Sequence, residues 1–318
     1  MNRKKIILLV GASVAIILAC LFLGGGAISP FTTDPLSKEI LFTLRLPRLL
    51  TALIVGASLG ASGAILQGIL RNPLSDPYIL GISSGAALSA AMGLVLGITA
   101  AGYFSLPLLA FVGAISSCVI VGVLGKKSET FTPERLLLAG IGLGFLFTAI
   151  LMLLMSLSSD YGVRRTLLWI FGDLSYSGWA LMPYGFILSA IGLGVAILRS
   201  NALNALALGD EFAHSLGFSP SKERFVFFVA ASLMTAVSVT MGGIIGFVGL
   251  LIPHAVRFFT GSGARLLLPL SALAGATFLA LADAVGKTVI SPTEIPSGII
   301  TSIIGAPYFI YLIRRHGR

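Results

Sequence analysis

Polar and apolar positions in this chain are segregated into long blocks, not interleaved at the short period of a soluble helix or strand. Eight runs contain no Asp, Glu, Lys or Arg (residues 6–33, 49–70, 77–125, 136–159, 174–198, 225–256, 266–282 and 295–313), and together they hold 216 of the 318 residues. Most are long enough to cross a bilayer core, which takes about 20 apolar residues as a helix. Spans are predicted near 6–24, 49–70, 78–98, 105–124, 135–157, 180–198, 264–282 and 296–313, with Gly102, Tyr103 and Pro107 dividing the longest run. The stretch after Asn2-Arg3-Lys4-Lys5 exceeds the usual signal-peptide core of about 7–15 residues. Gly24-Gly25-Gly26-Ala27 is an indifferent cleavage site, so a first transmembrane helix is the preferred reading over a signal peptide.

The run 225–256 is too long for one ordinary span and short for two. Arg199, Lys222 and Arg224 precede it and Arg257 and Arg265 follow it, so the positive-inside rule puts both flanks on the cytoplasmic side. It is therefore predicted to go out and return as two short helices reversing near Met241-Gly242-Gly243. Such a turn survives at membrane depth only where protein or a water-filled cavity surrounds it. The result is an all-α polytopic membrane protein with ten transmembrane helices, one domain over 1–318, both termini cytoplasmic, in the cell (inner or plasma) membrane.

Composition supports the same class. Only 10% of residues are charged, 56% are hydrophobic and the mean hydropathy is +1.01, whereas a soluble domain carries roughly a quarter charged residues. The net charge of +9 arises from 21 Lys and Arg against 12 Asp and Glu. It is mainly a topology signal: 15 cations fall on the cytoplasmic side and six (Lys38, Arg45, Arg48, Arg164, Arg165, Lys287) outside. No Lys/Arg run is interleaved with aromatics, so no nucleic-acid partner is expected. Cys20 and Cys118 lie within apolar runs and read as small hydrophobes.

A weak internal repeat is suggested near 49–157 and 225–313. Laying residues 60–81 over 240–261 superposes Gly63 on Gly243, Pro73 on Pro253 and Gly81 on Gly261. Repeated broken helices point to a transporter. Glycine clusters such as Gly56-x3-Gly60 and Gly140-x-Gly142-x-Gly144 read as close helix packing in lipid.

Apart from Arg48 near a boundary, no ionisable residue sits at mid-depth in the predicted spans, whereas ion-coupled carriers keep such groups as relays. An outside energy source is therefore expected. An ion-coupled secondary transporter is the alternative, and a structural or enzymatic membrane protein stands behind it. Gly286-Lys287-Thr288 mimics the end of a phosphate-binding loop, but the required first glycine is Leu281. His214, His254 and His316 have no second ligand at metal spacing, and no metal or catalytic site is expected. The cytoplasmic loop 200–222 looks built for a partner: Leu208, Phe212 and Leu216 at i, i+4 and i+8 predict a short amphipathic helix over 207–217 that Gly217 caps. A helix this short needs docking to be stable.

Several motifs resemble the FecCD family of ABC-importer permeases, in order along nearly the whole chain. They are Leu44-Arg45-Leu46-Pro47-Arg48, Gln67-x3-Arg71-Asn72-Pro73-Leu74-x2-Pro77, Leu80-Gly81-Ile82-Ser83-Ser84-Gly85-Ala86, Leu136-Leu137-Leu138-Ala139-Gly140 and Trp169-x2-Gly172-x-Leu174. Gly246-Phe247-Val248-Gly249-Leu250-x2-Pro253-His254-x2-Arg257 and Glu294-Ile295-Pro296-x-Gly298-x2-Thr301-x3-Gly305-Ala306-Pro307 complete the set. The resemblance implies a homodimer in membrane lipid, two cytoplasmic ATP-binding-cassette subunits that hold the ATP and Mg, no cofactor in this chain, and an extracytoplasmic substrate-binding protein. It implies transport of a metal chelate: iron-siderophore, haem or cobalamin. ATPase coupling maps onto Ala207, Gly209, Asp210, Glu211, Ala213, Leu216 and Gly217. Binding-protein docking maps onto Arg45, Arg48 and Lys287, where lysine lacks the bidentate fork of arginine. Arg164 and Arg165 could add to that surface. Ser84 and Thr132 fall near gate positions, and the dimer interface is expected at the fifth and tenth spans.

Overall fold

The computed structural model of the chain describes residues 3–23, 34–98, 102–127, 130–175, 178–290 and 292–316; Gly24-Gly25-Gly26-Ala27 and Arg318 lie outside them. The elements are α1 (Arg3–Phe22), α2 (Pro35–Ile40), a π-helical turn (Leu41–Arg45), α3 (Leu46–Ile69), a 3-10 turn (Pro77–Leu80), α4 (Ile82–Val95) and α5 (Ser105–Gly125). A two-residue hairpin follows, β1 (Lys126–Lys127) against β2 (Thr130–Phe131), then α6 (Pro133–Ser156), α7 (Asp160–Ile170), α8 (Met182–Leu198), α9 (Ser200–Leu208) and α10 (Asp210–Ser215). The chain closes with α11 (Pro220–Gly242), α12 (Val248–Thr260), α13 (Ala264–Thr288) and α14 (Ser297–His316).

By length and composition, five helices among the described residues can cross a membrane: Pro35–Ile69, α5, α6, α11 and α13. The pair α8 and α9, bent by 63°, makes a sixth, and α1, α4, α12 and α14 carry shorter apolar stretches. Each of the ten predicted spans falls on one of these helices. Two boundaries differ from the sequence reading. The pair in 225–256 is unequal: α11 is a full-length helix of 23 residues starting at Pro220, and α12 has 13. The reversal does lie at Gly243, whose φ of 68° only glycine adopts without strain. Helix α13 runs on to Thr288, so Asp283 and Lys287 belong to its last turns and not to a following loop. A helix over 160–170, α7, which carries Arg164 and Arg165, lies between the spans expected at 135–157 and 180–198; there the Arg165 guanidinium lies 5.6 Å from the Tyr161 ring centroid.

The shortness of α4 has a packing cause. Its N-terminal Gly81, at φ 72°, lies against Gly140, and a side chain at Gly140 would strike the Leu80 backbone. Gly140 is seven residues into α6, so the connection after α3 sinks about 10 Å into the bundle before α4 begins. The glycine left-handed turn and the Gly140 surface make that depth accessible. Tyr78, half-buried in this connection, accepts a hydrogen bond from the Ile245 N–H with its hydroxyl at 3.0 Å. That bond satisfies one donor of the irregular 243–247 turn.

Helix α3 is the centre of the bundle. Its most apolar window is 78% buried, whereas that of α6 is 22% buried, so α3 is core and α6 is peripheral. Small residues allow this. A methyl on Gly56 would strike the Gly275 carbonyl and one on Gly275 the Gly56 carbonyl, while Gly60 faces Ser271 of α13 and Gly63 faces the Gly249 carbonyl of α12. Helices in lipid gain from such close backbone approach because apolar burial alone offers no drive. The overlay of residues 60–81 on 240–261 matches one backbone break, Gly81 and Gly261 at φ 72° and 75°, and not the other two. Gly63 is inside α3 whereas Gly243 ends α11, and Pro73 lies in a loop whereas Pro253 lies within α12.

Bulk at the α3–α13 crossing should therefore be far more damaging than bulk elsewhere. Gly56→Val and Gly275→Val are expected to abolish the folded, detergent-stable protein. Gly194→Ala in α8, where nothing lies within 4 Å of the added carbon, should be neutral or stabilising by about 0.5–1 kcal/mol. Thermal unfolding of the purified variants reads the difference.

Candidate functional site

Two polar assemblies stand at opposite ends of α3, whose 24 residues separate them by about 36 Å. The first is built around the α9–α10 segment. Helix α9 lies across the bundle, burying Ala202, Leu203, Ala205 and Leu206. Leu203 packs on Gly68 near the end of α3, and Asn204 Oδ1 accepts from the Ala264 N–H at 2.8 Å, capping α13. Gly209, at φ 128° and ψ 159°, then breaks the helix. That break corrects the sequence reading: Leu208 ends α9 while Phe212 and Leu216 follow the break, so the three do not share one helix.

Helix α10 begins with Asp210 and Glu211 and ends in a glycine cap as expected. The Gly217 N–H donates to the His214 carbonyl and the Phe218 N–H to the Ala213 carbonyl, with Gly217 at φ 83°. These are the two bonds of a Schellman cap. Ala213 is buried, whereas Ala207, Leu208, Phe212 and Leu216 are exposed. The segment thus offers large apolar side chains outward while its other side is fastened to the bundle.

The fastening is ionic. Asp210 Oδ1 accepts from Arg71 Nη2 at 2.9 Å and from Arg224 Nη2 at 2.6 Å. Arg224, whose side chain is 1% exposed, also donates from Nη1 to the Phe131 carbonyl at 2.6 Å and from Nε to the Ile69 carbonyl at 3.3 Å. A guanidinium stays charged at any ordinary pH, and every nitrogen of this one has an acceptor. Arg199 of the α8–α9 corner pairs with Glu223 at 2.7 Å.

A second network lies deeper at this end. Pro253 cannot donate to the Gly249 carbonyl as a helical residue would. The Gln67 amide donates there instead, at 3.3 Å, and to the Leu250 carbonyl at 3.2 Å. Arg257 Nη1 donates to Gln67 Oε1 at 2.6 Å, which fixes the orientation of the amide.

The assembly at the other end holds two of the residues expected to dock a binding protein. Arg48 donates from Nε and Nη2 to Asp283 Oδ1 at 3.0 and 2.9 Å and from Nη1 to Glu294 Oε2 at 2.6 Å. Lys287 pairs with Asp283 one helical turn away, and the Ser297 hydroxyl donates to Asp283 Oδ1 at 2.9 Å. The side chains of Arg48 and Lys287 are 12% and 11% exposed. Both cations are thus engaged within the chain, clamping α3, α13 and the start of α14. Arg45 is half-buried and donates to the Phe22 carbonyl at 2.9 Å. Its place is set by the π-helical turn, whose Phe42 carbonyl accepts from the Trp179 indole at 3.1 Å.

Ser84 and Thr132 are not brought together within one chain. Thr132 precedes α6 as its N-cap, and the Ser84 hydroxyl, bonded to the Gly81 carbonyl at 3.1 Å, faces Gly144. That is twelve residues further along α6, or about 18 Å.

Arg224 and Asp283 carry the two assemblies; in the sequence Arg224 stood out only as a topology marker and Asp283 not at all. Each sits in the end turns of a helix that extends past the edge of its charge-free run, so the run boundary hid its burial. Gln67, Arg71, Arg257 and Glu294 were visible within motifs but had no assignable partner. Among the described residues, no group of three or more His, Cys, Asp or Glu could hold a metal ion.

Comparison with known proteins places this geometry. The chain is 39% identical to the Fe(3+)-citrate import system permease YfmE of Bacillus subtilis, over all of this chain and 97% of that protein. It is 36% identical to the vitamin B12 import system permease BtuC of Vibrio cholerae, over 99% and 95% of the two chains. A solved metal-chelate-type ABC transporter in an inward-facing conformation superposes with a TM-score of 0.90 at 32% identity, covering 99% of this chain and all of that one. The match to the FecCD transport family runs over residues 7–315, and with these relatives it shows that the chain belongs to that family.

Proposed function

We propose that this chain pairs with a second copy and, with two ATPase subunits seated on α10 and an extracytoplasmic binding protein at the Arg48 end, carries a metal chelate into the cytoplasm. The family makes the chain a permease subunit of an ABC importer and not an enzyme, with ATP hydrolysis on separate subunits. The observation that carries the rest is the α9–α10 segment: exposed Leu208, Phe212 and Leu216 on a support whose inner side is locked to Arg71 and Arg224. Such a surface receives a push and passes it inward. The largely unburied α6 supports a second copy as its neighbour, with α14, which packs chiefly on α13 and α12, beside it. An excess of cations on the α10 side supports cytoplasmic termini. Relatives named for Fe(3+)-citrate and vitamin B12 favour a bulky chelate as cargo.

At the opposite end, the surface proposed for an acidic partner comprises Arg45, Arg48 and Lys287, each already bonded within the chain.

Reconstituted with its ATPase and binding protein, the chain should accumulate chelate only with ATP; accumulation by the chain alone on an ion gradient would overturn the reading. Arg45→Glu is expected to weaken binding-protein association, with the loss shrinking as salt is raised. Unchanged association at low salt would remove Arg45 from the docking surface. Asp283→Asn removes the carboxylate shared by two buried cations, leaving Arg48 with Glu294 and Lys287 without its ion pair, and should destabilise the chain by about 3–5 kcal/mol, read as a fall in the thermal midpoint.

A further inference from the structure

We infer that Arg224 is the positioning residue that ties movement of α10 to the end of α3 and the start of α6, an inference that rests on the ATPase contact proposed at α10. One sealed guanidinium joins four segments. It belongs to the first turns of α11, and it holds the last carbonyl of α3 (Ile69), the carbonyl of β2 (Phe131) and the first side chain of α10 (Asp210). Phe131 directly precedes Thr132 and α6, so the same group that fixes α10 fixes the start of the helix that carries a proposed gate residue.

The two sides of the bridge differ in freedom. Arg224 is 1% exposed and bound to two backbone carbonyls, so it cannot turn towards water. Asp210 is 42% exposed, on a six-residue helix hung from Gly209, and shares its Oδ1 with the half-exposed Arg71. If α10 shifted alone, a buried cation would lose its counter-charge, which is strongly unfavourable. The low-cost motion is therefore one in which α10, the end of α3 and the β1–β2 hairpin travel together. Lysine would keep the charge of Arg224 but cannot spread three nitrogens towards three acceptors. A ribose, phosphate or metal at this point is not required by anything in the geometry; the task is mechanical transmission.

The test uses the complete transporter in liposomes, with ATP hydrolysis and chelate uptake measured in the same vesicles. Arg224→Lys and Asp210→Asn should each lower uptake per ATP hydrolysed by roughly tenfold, the scale of a typical coupling free energy, whatever their absolute hydrolysis rates. The double variant should lose no more than either single one, because both break the same bridge, and Asp210→Glu should restore most of the ratio. A wild-type ratio in the single variants overturns the inference. So does a ratio maintained in Asp210→Asn together with weaker ATPase association, since Asp210 would then be a docking contact only. Failure of both single variants to assemble at all would make the bridge a staple and overturn it equally. If the wild-type chain never couples to an ATPase, it is the importer reading that falls instead.

Discussion

Helix α3 is approached backbone to backbone on more than one side, by α13 through Gly56 and Gly275 and by α12 through Gly63 and Gly249. In lipid no water is released when apolar faces meet, so cohesion has to come from dispersion at short range and from polar contacts that have no better partner. A helix that can be approached this closely on several sides becomes the axis, and α3 is that helix. The two ion-pair assemblies stand at its two ends. Its length thus sets both the thickness of the bundle and the distance across which a signal must travel.

At those ends the chain concentrates charges that its interior excludes. Each assembly has one buried guanidinium and one carboxylate shared between cations: Arg48 with Asp283, and Arg224 with Asp210. Buried ion pairs are weak sources of stability but strong sources of definition, because separating them leaves an uncompensated charge. Here that property is useful on both sides. Around Asp283 it holds the entry of α14 against α3. Around Asp210 it ties a small exposed helix to three backbone ends. The Gln67 amide serves the same purpose without charge, occupying the carbonyl that Pro253 leaves unmatched within α12.

Long charge-free runs made the helices legible, because a bilayer imposes a length on each segment and punishes charge within it. The glycine reversal at Gly243 and the glycine cap at Gly217 were legible too, since only that residue enters the left-handed region freely. What escaped the sequence was burial by neighbours. The helix break at Gly209 divides a pattern that Leu208, Phe212 and Leu216 appear to share, and periodicity cannot see a single dihedral angle. Lys287 and Arg48 looked like outward-facing cations because their counter-charges, Asp283 and Glu294, join them only in the folded chain. Arg224 read as one more cytoplasmic charge, although it is among the most buried side chains present. The family motifs did place Gln67, Arg71, Arg257 and Glu294 in view, and the structure supplies the partners that explain them.

If an ATPase drives this chain through the exposed surface of α10, as proposed, residue-specific photo-crosslinking in the working transporter will detect the contact. A crosslinker at Phe212 is predicted to capture the ATPase subunit, with a yield that changes when ATP is hydrolysed, while one at Phe186 on the exposed flank of α8 captures none. An active transporter in which Phe212 captures no ATPase in any nucleotide state would contradict the claim.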